Sequence, residues 1–580
     1  MVEVKLLLLV AAHLLMTGLP GAAAALVAAR RGVTKIPVLL ATALAVSGAV
    51  AMLGFWMYFA EPTIGKVYSW TILLASITLV GASLGGNGVP GAVLRQLGIP
   101  VALWALGSSF LIFLGFLHGG TNDPIALAAY RFSSGVLPSD NDIPRFFAAW
   151  FYVHGHSPRP PVYPPNWLFS DRPPLQVGYV LMQMPFGWDT HSLNYEIVGV
   201  VLQQLWIVGL WALMLAARVG RVTRALAMVV VLLSDLAIVN GFFVWPKLLP
   251  AAMLLAAAAL LLTSEWRDAR HNAATGALVG ALFAVAMLGH GSSVFGIIPL
   301  ALIAAVRGLP SLRWLVAAAV VGVVLLVPWS EYQKHGDPPG NRLTKWMLAG
   351  MAQPDNNSTL HDVVTAYRAA GFGGTLHDKA ENFVTMAGGG PMADELKTAV
   401  NSLESGHLAT ADGQIRAILF FNLFPSFGLM LIAPVLMLIA RWRCRIRSSE
   451  WTFALSCYLV LAIGAIAWGL LLFGNPLSAT YIHQGTYALP MFGFCAAVAG
   501  LRASFPRVAI YVVAANALFS LLIYTPPLHP LPETSYSGLA MGVAALSLAG
   551  FVMVAFGGMA WPRLGRIPLA ATSLSSRSHQ

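Results

Sequence analysis

The chain has 580 residues, 58% of them hydrophobic and only 10% charged. Soluble domains carry about 25% charged residues, so this composition excludes a soluble globular protein and defines a polytopic membrane protein. The formal charge of +11 would point to nucleic acid in a soluble protein. Here it reflects basic residues in short connections between membrane spans, and no nucleic-acid partner is expected.

A membrane helix needs about 20 apolar residues. Such stretches run over 6–28, 36–59, 68–86 and 99–117. The first is read as a helix and not as a cleaved leader, because many similar segments follow it. After a polar insertion at 118–174 comes a short apolar segment, 175–188. With the residues up to the next span they make a loop region, 118–191. Central spans follow at 192–217, 223–241, 246–263, 273–289, 291–306 and 314–328, with an irregularity expected at 241–247 around Pro246. A second insertion covers 329–414, and the last spans are 415–440, 451–473, 481–500, 507–524 and 536–557. The expected fold is therefore all-α, with about 13–15 membrane helices and a polar tail, 561–580.

Alternate connections are rich in arginine and lysine. They include Arg30, Arg31 and Lys35; Arg218, Arg221 and Arg224; Arg267 and Arg270; Arg441, Arg443, Arg445 and Arg447. Positive loops stay in the cytoplasm, which puts the C-terminus inside and both insertions outside. Each insertion has patches of helical periodicity, "DIPRFFAAWFYVHG" and "TLHDVVTAYRAAG", expected to lie on or near the membrane surface. Cys444, Cys457 and Cys495 do not form a disulfide or zinc pattern.

Chemistry-bearing residues gather in and near the insertions. "SDND" places Asp140 and Asp142 before a helical patch, where an acid also serves as an N-cap. "SDRPPLQ" places Asp171 and Arg172, a possible local ion pair, before two prolines that set how the chain enters the bilayer. Lys247 stands in "FVWPKLLP", where snorkelling to the interface is the bland explanation. Arg342 and Lys345 follow the start of the second insertion, and His290, His483 and Gln484 lie near outer helix ends. Asp235 is an intramembrane acid. No Walker A loop, HExxH or clear metal cluster is present in the sequence.

An acidic pair in an outer loop, followed by a basic residue and "PPL" at a membrane entry, resembles the GT-C integral-membrane glycosyltransferases, among them the protein O-mannosyltransferases and the aminoarabinose transferases of lipid A. In that family the acidic loop follows the first helix; here three further helices precede it. The resemblance implies an inverting transfer of sugar from a polyprenyl-phosphate donor to a glycan, lipid or protein hydroxyl, outside a bacterial plasma membrane. It implies Asp140, with Asp142 as the alternative, as proton acceptor. It implies Arg172, Lys247, Arg342, Lys345 and His483 as contacts to the donor phosphate, with Asp171, His290 and Gln484 close by. No cofactor is implied, and a metal requirement is left open. The competing expectations are a transporter or flippase of lipid-linked sugar, a polymerase or ligase of the O-antigen type, and a non-catalytic assembly subunit.

Overall fold

The computed structural model describes residues 2–85, 88–119, 128–130, 141–164, 166–186, 192–351, 355–443, 448–474, 485–525 and 538–557. They form helices and their connections, with one isolated β-bridge between Tyr163 and Trp167. Among the described residues ten helices are long and apolar enough to cross a membrane, fewer than the 13–15 expected from the sequence because several apolar stretches form shorter helices, and the chain is a multi-pass membrane protein. One further pair, Arg221–Leu232 and Asp235–Phe243, is bent by 51°. Four shorter apolar helices, Leu248–Leu261, Ala273–Gly289, Gly291–Arg307 and Ala488–Ser504, lie among the longer ones.

Two segments depart from the sequence reading, and a third, 175–188, is short as expected. The 223–241 stretch is broken at Leu233, because Ser234 caps a new helix by accepting from Ala237 N. The 415–440 stretch is divided between Leu408–Phe421 and Ile432–Arg443, with Gly428 at φ 52° in the turn between them. The apolar segment after "PPL" is only a nine-residue helix, Leu175–Gln183, buried at every position. It is too short to span the bilayer and is wrapped by protein, which permits a break at membrane depth.

Close packing follows small residues. Gly276 and Gly280, spaced as GxxxG, face the backbone of Trp314 and Ala318, where an added Cβ would strike a carbonyl. Without a hydrophobic drive between helices in lipid, such contact supplies dispersion energy. The other side of Leu312–Glu331 exposes Val316, Val320, Val323 and Val327, as a lipid-facing surface should.

The basic connections meet at one end of the bundle. Lys35 and Arg218 both pair with Glu265, Ser311 N donates to Arg270 O at 2.9 Å, and Arg307 donates to Leu261 O at 2.6 Å. The two insertions meet at the other end. His156 N reaches Phe59 O at 2.8 Å, and Phe473 N reaches Met347 O at 2.9 Å. Asn382 of the kinked surface helix Thr359–Met386 donates to Gly469 O at 2.8 Å. Helix Ile143–His154 covers an aromatic cluster in which Phe169 lies 4.7 Å from Phe151 and 5.4 Å from Trp329.

Candidate functional site

The site begins where the first insertion is clamped to the second. Ser170 N donates to Asp337 Oδ2 at 2.9 Å, and Arg159 Nε donates to Asp337 Oδ1 at 2.7 Å. Gln333 donates to Ser170 O at 2.9 Å. Every one of these contacts joins residues far apart in the chain, so the "SDRPP" turn is held by the 332–342 segment rather than by its own neighbours.

Within this clamp Asp171 is buried, 3% exposed. Its Oδ2 accepts from Leu168 N at 2.9 Å and lies 3.6 Å from Arg342 Nη1. Its Oδ1 accepts no hydrogen bond among the described residues. Burial raises the Asp171 carboxyl above its usual range, against the opposing pull of the Leu168 amide, Arg342 and Arg172. A buried acid with a raised pKa and a specific cation partner is the pattern of a functional group. Arg342 is buried as well and donates to both Asn166 O and Asn166 Oδ1 at 2.9 Å. Two guanidiniums lie over the Trp167 ring, Arg342 at 3.9 Å and Arg172 at 4.4 Å from its centroid.

Arg172 and His290 border a cavity of about 20 Å³ together with Trp245, Pro246, Phe147 and Phe169. That is room for about one water. His290 Nδ1 accepts from Ser292 N at 3.1 Å, which leaves the proton of the neutral ring on Nε2. Burial, with the charges of Lys247 and Arg172 nearby, holds this imidazole well below its usual pKa. Lys247 is itself buried, 3% exposed, with its ammonium 4.4 Å from the Trp245 ring and 5.8 Å from the Tyr487 ring. This corrects the snorkelling explanation: helix Asp235–Phe243 ends at Val244, and Lys247 turns into the protein as the next helix begins. Val244 is left-handed at φ 50°, a costly conformation for a β-branched residue and a mark of functional breaks.

A hydrogen-bond chain ties this break to the acidic segment. Tyr195 Oη donates to Asn141 O at 2.6 Å and accepts from Gln176 Nε2 at 3.0 Å. Gln176 also donates to Val244 O at 2.9 Å and accepts from Gln203, whose own oxygen takes Leu248 N at 2.9 Å. Asp142, beside Asn141, does not cap the helix it precedes, because Arg145 one turn on engages both of its oxygens, Nη2 to Oδ2 at 3.0 Å.

The sequence-predicted residues thus separate. Asp142, Asp171, Arg172, Lys247, His290 and Arg342 belong to one connected region at the insertion end. Lys345 is fully buried and paired with Asp355 and with Asp362 at 2.7 Å, an arrangement that braces the second insertion. Asp140, His483 and Gln484 lie outside the described residues. Sequence reasoning passed over Trp167, Gln176, Tyr195, Gln203 and Asp337. Gln203 carried a signal, since an amide in the middle of an apolar run requires a partner. Asp337 carried none, because its partners are set by tertiary contact. Comparison with family models, with curated proteins and with solved structures returned no match.

Proposed function

We propose that this membrane protein is a GT-C-type glycosyltransferase that moves a sugar from a polyprenyl-phosphate donor to an acceptor hydroxyl of a glycan, lipid or protein. The supporting observation is the buried Asp171–Arg342 pair around Trp167, beside Arg172, Lys247 and His290, at the bundle end remote from the arginine-rich connections. By the positive-inside rule that end faces the outside of a bacterial plasma membrane, where a lipid-linked sugar replaces cytoplasmic nucleotide sugars as donor.

In this reading the acceptor oxygen attacks the anomeric carbon from the face opposite the phosphate. The C–O bond to the acceptor forms as the C–O bond to phosphate breaks, and the acceptor proton passes to a carboxylate. Asp140 is assigned as that base. Asp142, whose oxygens are engaged by Arg145, orients the segment. Arg172 and Lys247 stabilise charge developing on the departing phosphate, and neutral His290 donates from Nε2. Arg342 holds Asp171 and Trp167 in place. The cavity between Arg172 and His290 is too small for a sugar, so donor binding must widen this junction.

The test is transfer from a synthetic polyprenyl-phosphate sugar by purified protein, wild type against Asp140→Asn and Arg172→Ala. Full turnover in both variants would exclude the assignment. Movement of intact lipid-linked sugar across vesicles without transfer would identify a transporter instead.

A further inference from the structure

A much roomier cavity lies at the other end of the molecule. A groove of about 1010 Å³ runs between helices Ile36–Ala60, Leu248–Leu261, Ala273–Gly289 and Leu312–Glu331. Its walls are Ala45, Ala49, Ala281, Leu278 and Leu325, and Val320 and Val324 on its edge are exposed at the lipid-facing perimeter. These walls fit hydrocarbon and offer little to orient a polar ligand. Charge is confined to one end, where Lys35, Arg218, Glu265 and Asp268 form the mouth. From Lys35 to Ala49 the groove follows a helix for about 21 Å at 1.5 Å per residue. One leaflet is about 15 Å of hydrocarbon, so the groove matches one acyl chain plus its headgroup region.

The polarity of the groove selects its occupant. An amphipath must place its head among the charged residues at the basic end. A polyprenyl phosphate serving the proposed site would have its head at the opposite end. The mouth is also balanced in charge. Lys35 and Arg218 share Glu265, yet both remain well exposed, at 66% and 70%, with donors to spare. Asp268 is exposed and makes no ion pair among the described residues.

We propose that this groove holds one zwitterionic glycerophospholipid from the leaflet at the basic end. An acyl chain lies along Thr42, Ala45 and Ala49, the phosphate meets Lys35 and Arg218, and the ammonium meets Asp268. The proposal stands on the groove's walls and mouth, and only the exclusion of a polyprenyl phosphate draws on the glycosyltransferase reading.

The test purifies the full chain in mild detergent, exchanges it against vesicles of equimolar phosphatidylethanolamine and phosphatidylglycerol, and identifies the retained lipid by mass spectrometry. The expected result is about one lipid per chain, with phosphatidylethanolamine preferred about threefold, the effect of one exposed ion pair. Ala281→Phe fills the groove and should lower retention about tenfold, a cost of overpacking at a close wall. Asp268→Lys, an exposed change that leaves the packing intact, should reverse the preference toward phosphatidylglycerol. Absence of retained lipid in the wild type, undiminished retention in Ala281→Phe, or equal binding of the two lipids by the wild type would overturn the proposal. Should Ala281→Phe not fold, Asp268→Lys decides, and an unchanged preference there refutes the headgroup assignment.

Discussion

Arg342 reaches from the second insertion to the first and stands 3.6 Å from Asp171 with both side chains buried. The same guanidinium donates twice to Asn166 and covers Trp167. Removing one partner of a buried pair leaves the other charge uncompensated, at a cost of about 3–5 kcal/mol. Arg342→Ala is therefore expected to lower the thermal unfolding temperature in detergent. Arg342→Lys should recover only part of that loss, because an ammonium lacks the planar fork that meets Asn166.

Asp171 should set the acid side of the pH profile. Burial raises its pKa in the folded chain above the ordinary 3.8. For an acid raised by folding, its contribution to stability is greatest below the unfolded value and falls as pH rises through the folded one. Under the proposed transfer, activity has the opposite dependence, because protonation removes the charge that holds Arg342. The acid limb of sugar transfer should lie above 3.8 and disappear in Asp171→Asn, read from rates at fixed donor concentration.

The two acids of "SDND" should separate in kinetics. Loss of a positioned base costs about 10²–10⁴ in rate, which the proposed mechanism expects for Asp140→Asn. Asp142→Asn weakens a partly exposed ion pair to Arg145 and should cost less, with the change mainly in kcat because substrate contacts remain. Equal losses in the two variants would shift the base assignment.

Sidedness is open to chemical labelling. Val153 is 64% exposed in the first insertion, whereas Arg267 is exposed in a basic connection. With the native cysteines replaced by serine, Val153→Cys should react with an impermeant thiol reagent in intact cells. Arg267→Cys should react only after the membrane is opened. The reverse pattern would put the acidic residues in the cytoplasm.

Gly280 should tolerate little. A side chain there meets the Ala318 carbonyl, backbone that does not yield. Gly280→Leu is expected to destabilise by about 1–3 kcal/mol, measured as a lower unfolding temperature, whereas Gly322→Leu, far less crowded, should be mild.

Much of the fold was legible because membrane crossing is a local requirement: about 20 apolar residues must follow one another, and that is visible in any window of the chain. The places where this reading failed are those where tertiary partners replaced lipid. The 223–241 stretch breaks at Ser234 where every residue of the following helix is buried, and Lys247 is buried with the Trp245 and Tyr487 rings beside its ammonium. The site was legible in part for the same reason. Asp171, Arg172 and Lys247 stand out as charges in apolar surroundings, but Trp167 and Asp337 look ordinary until the chain is folded.

By its own order of residues the chain determined a multi-pass helical protein with two polar insertions and basic connections between spans, since hydropathy and charge act through nearest neighbours and water. Only the tertiary structure decided which insertion residues meet, that Asp171 pairs with Arg342 and that Lys345 is occupied by two carboxylates. Those pairings depend on the distance between side chains from separate parts of the chain, and the strength of a buried charge depends on that distance and on exclusion of water.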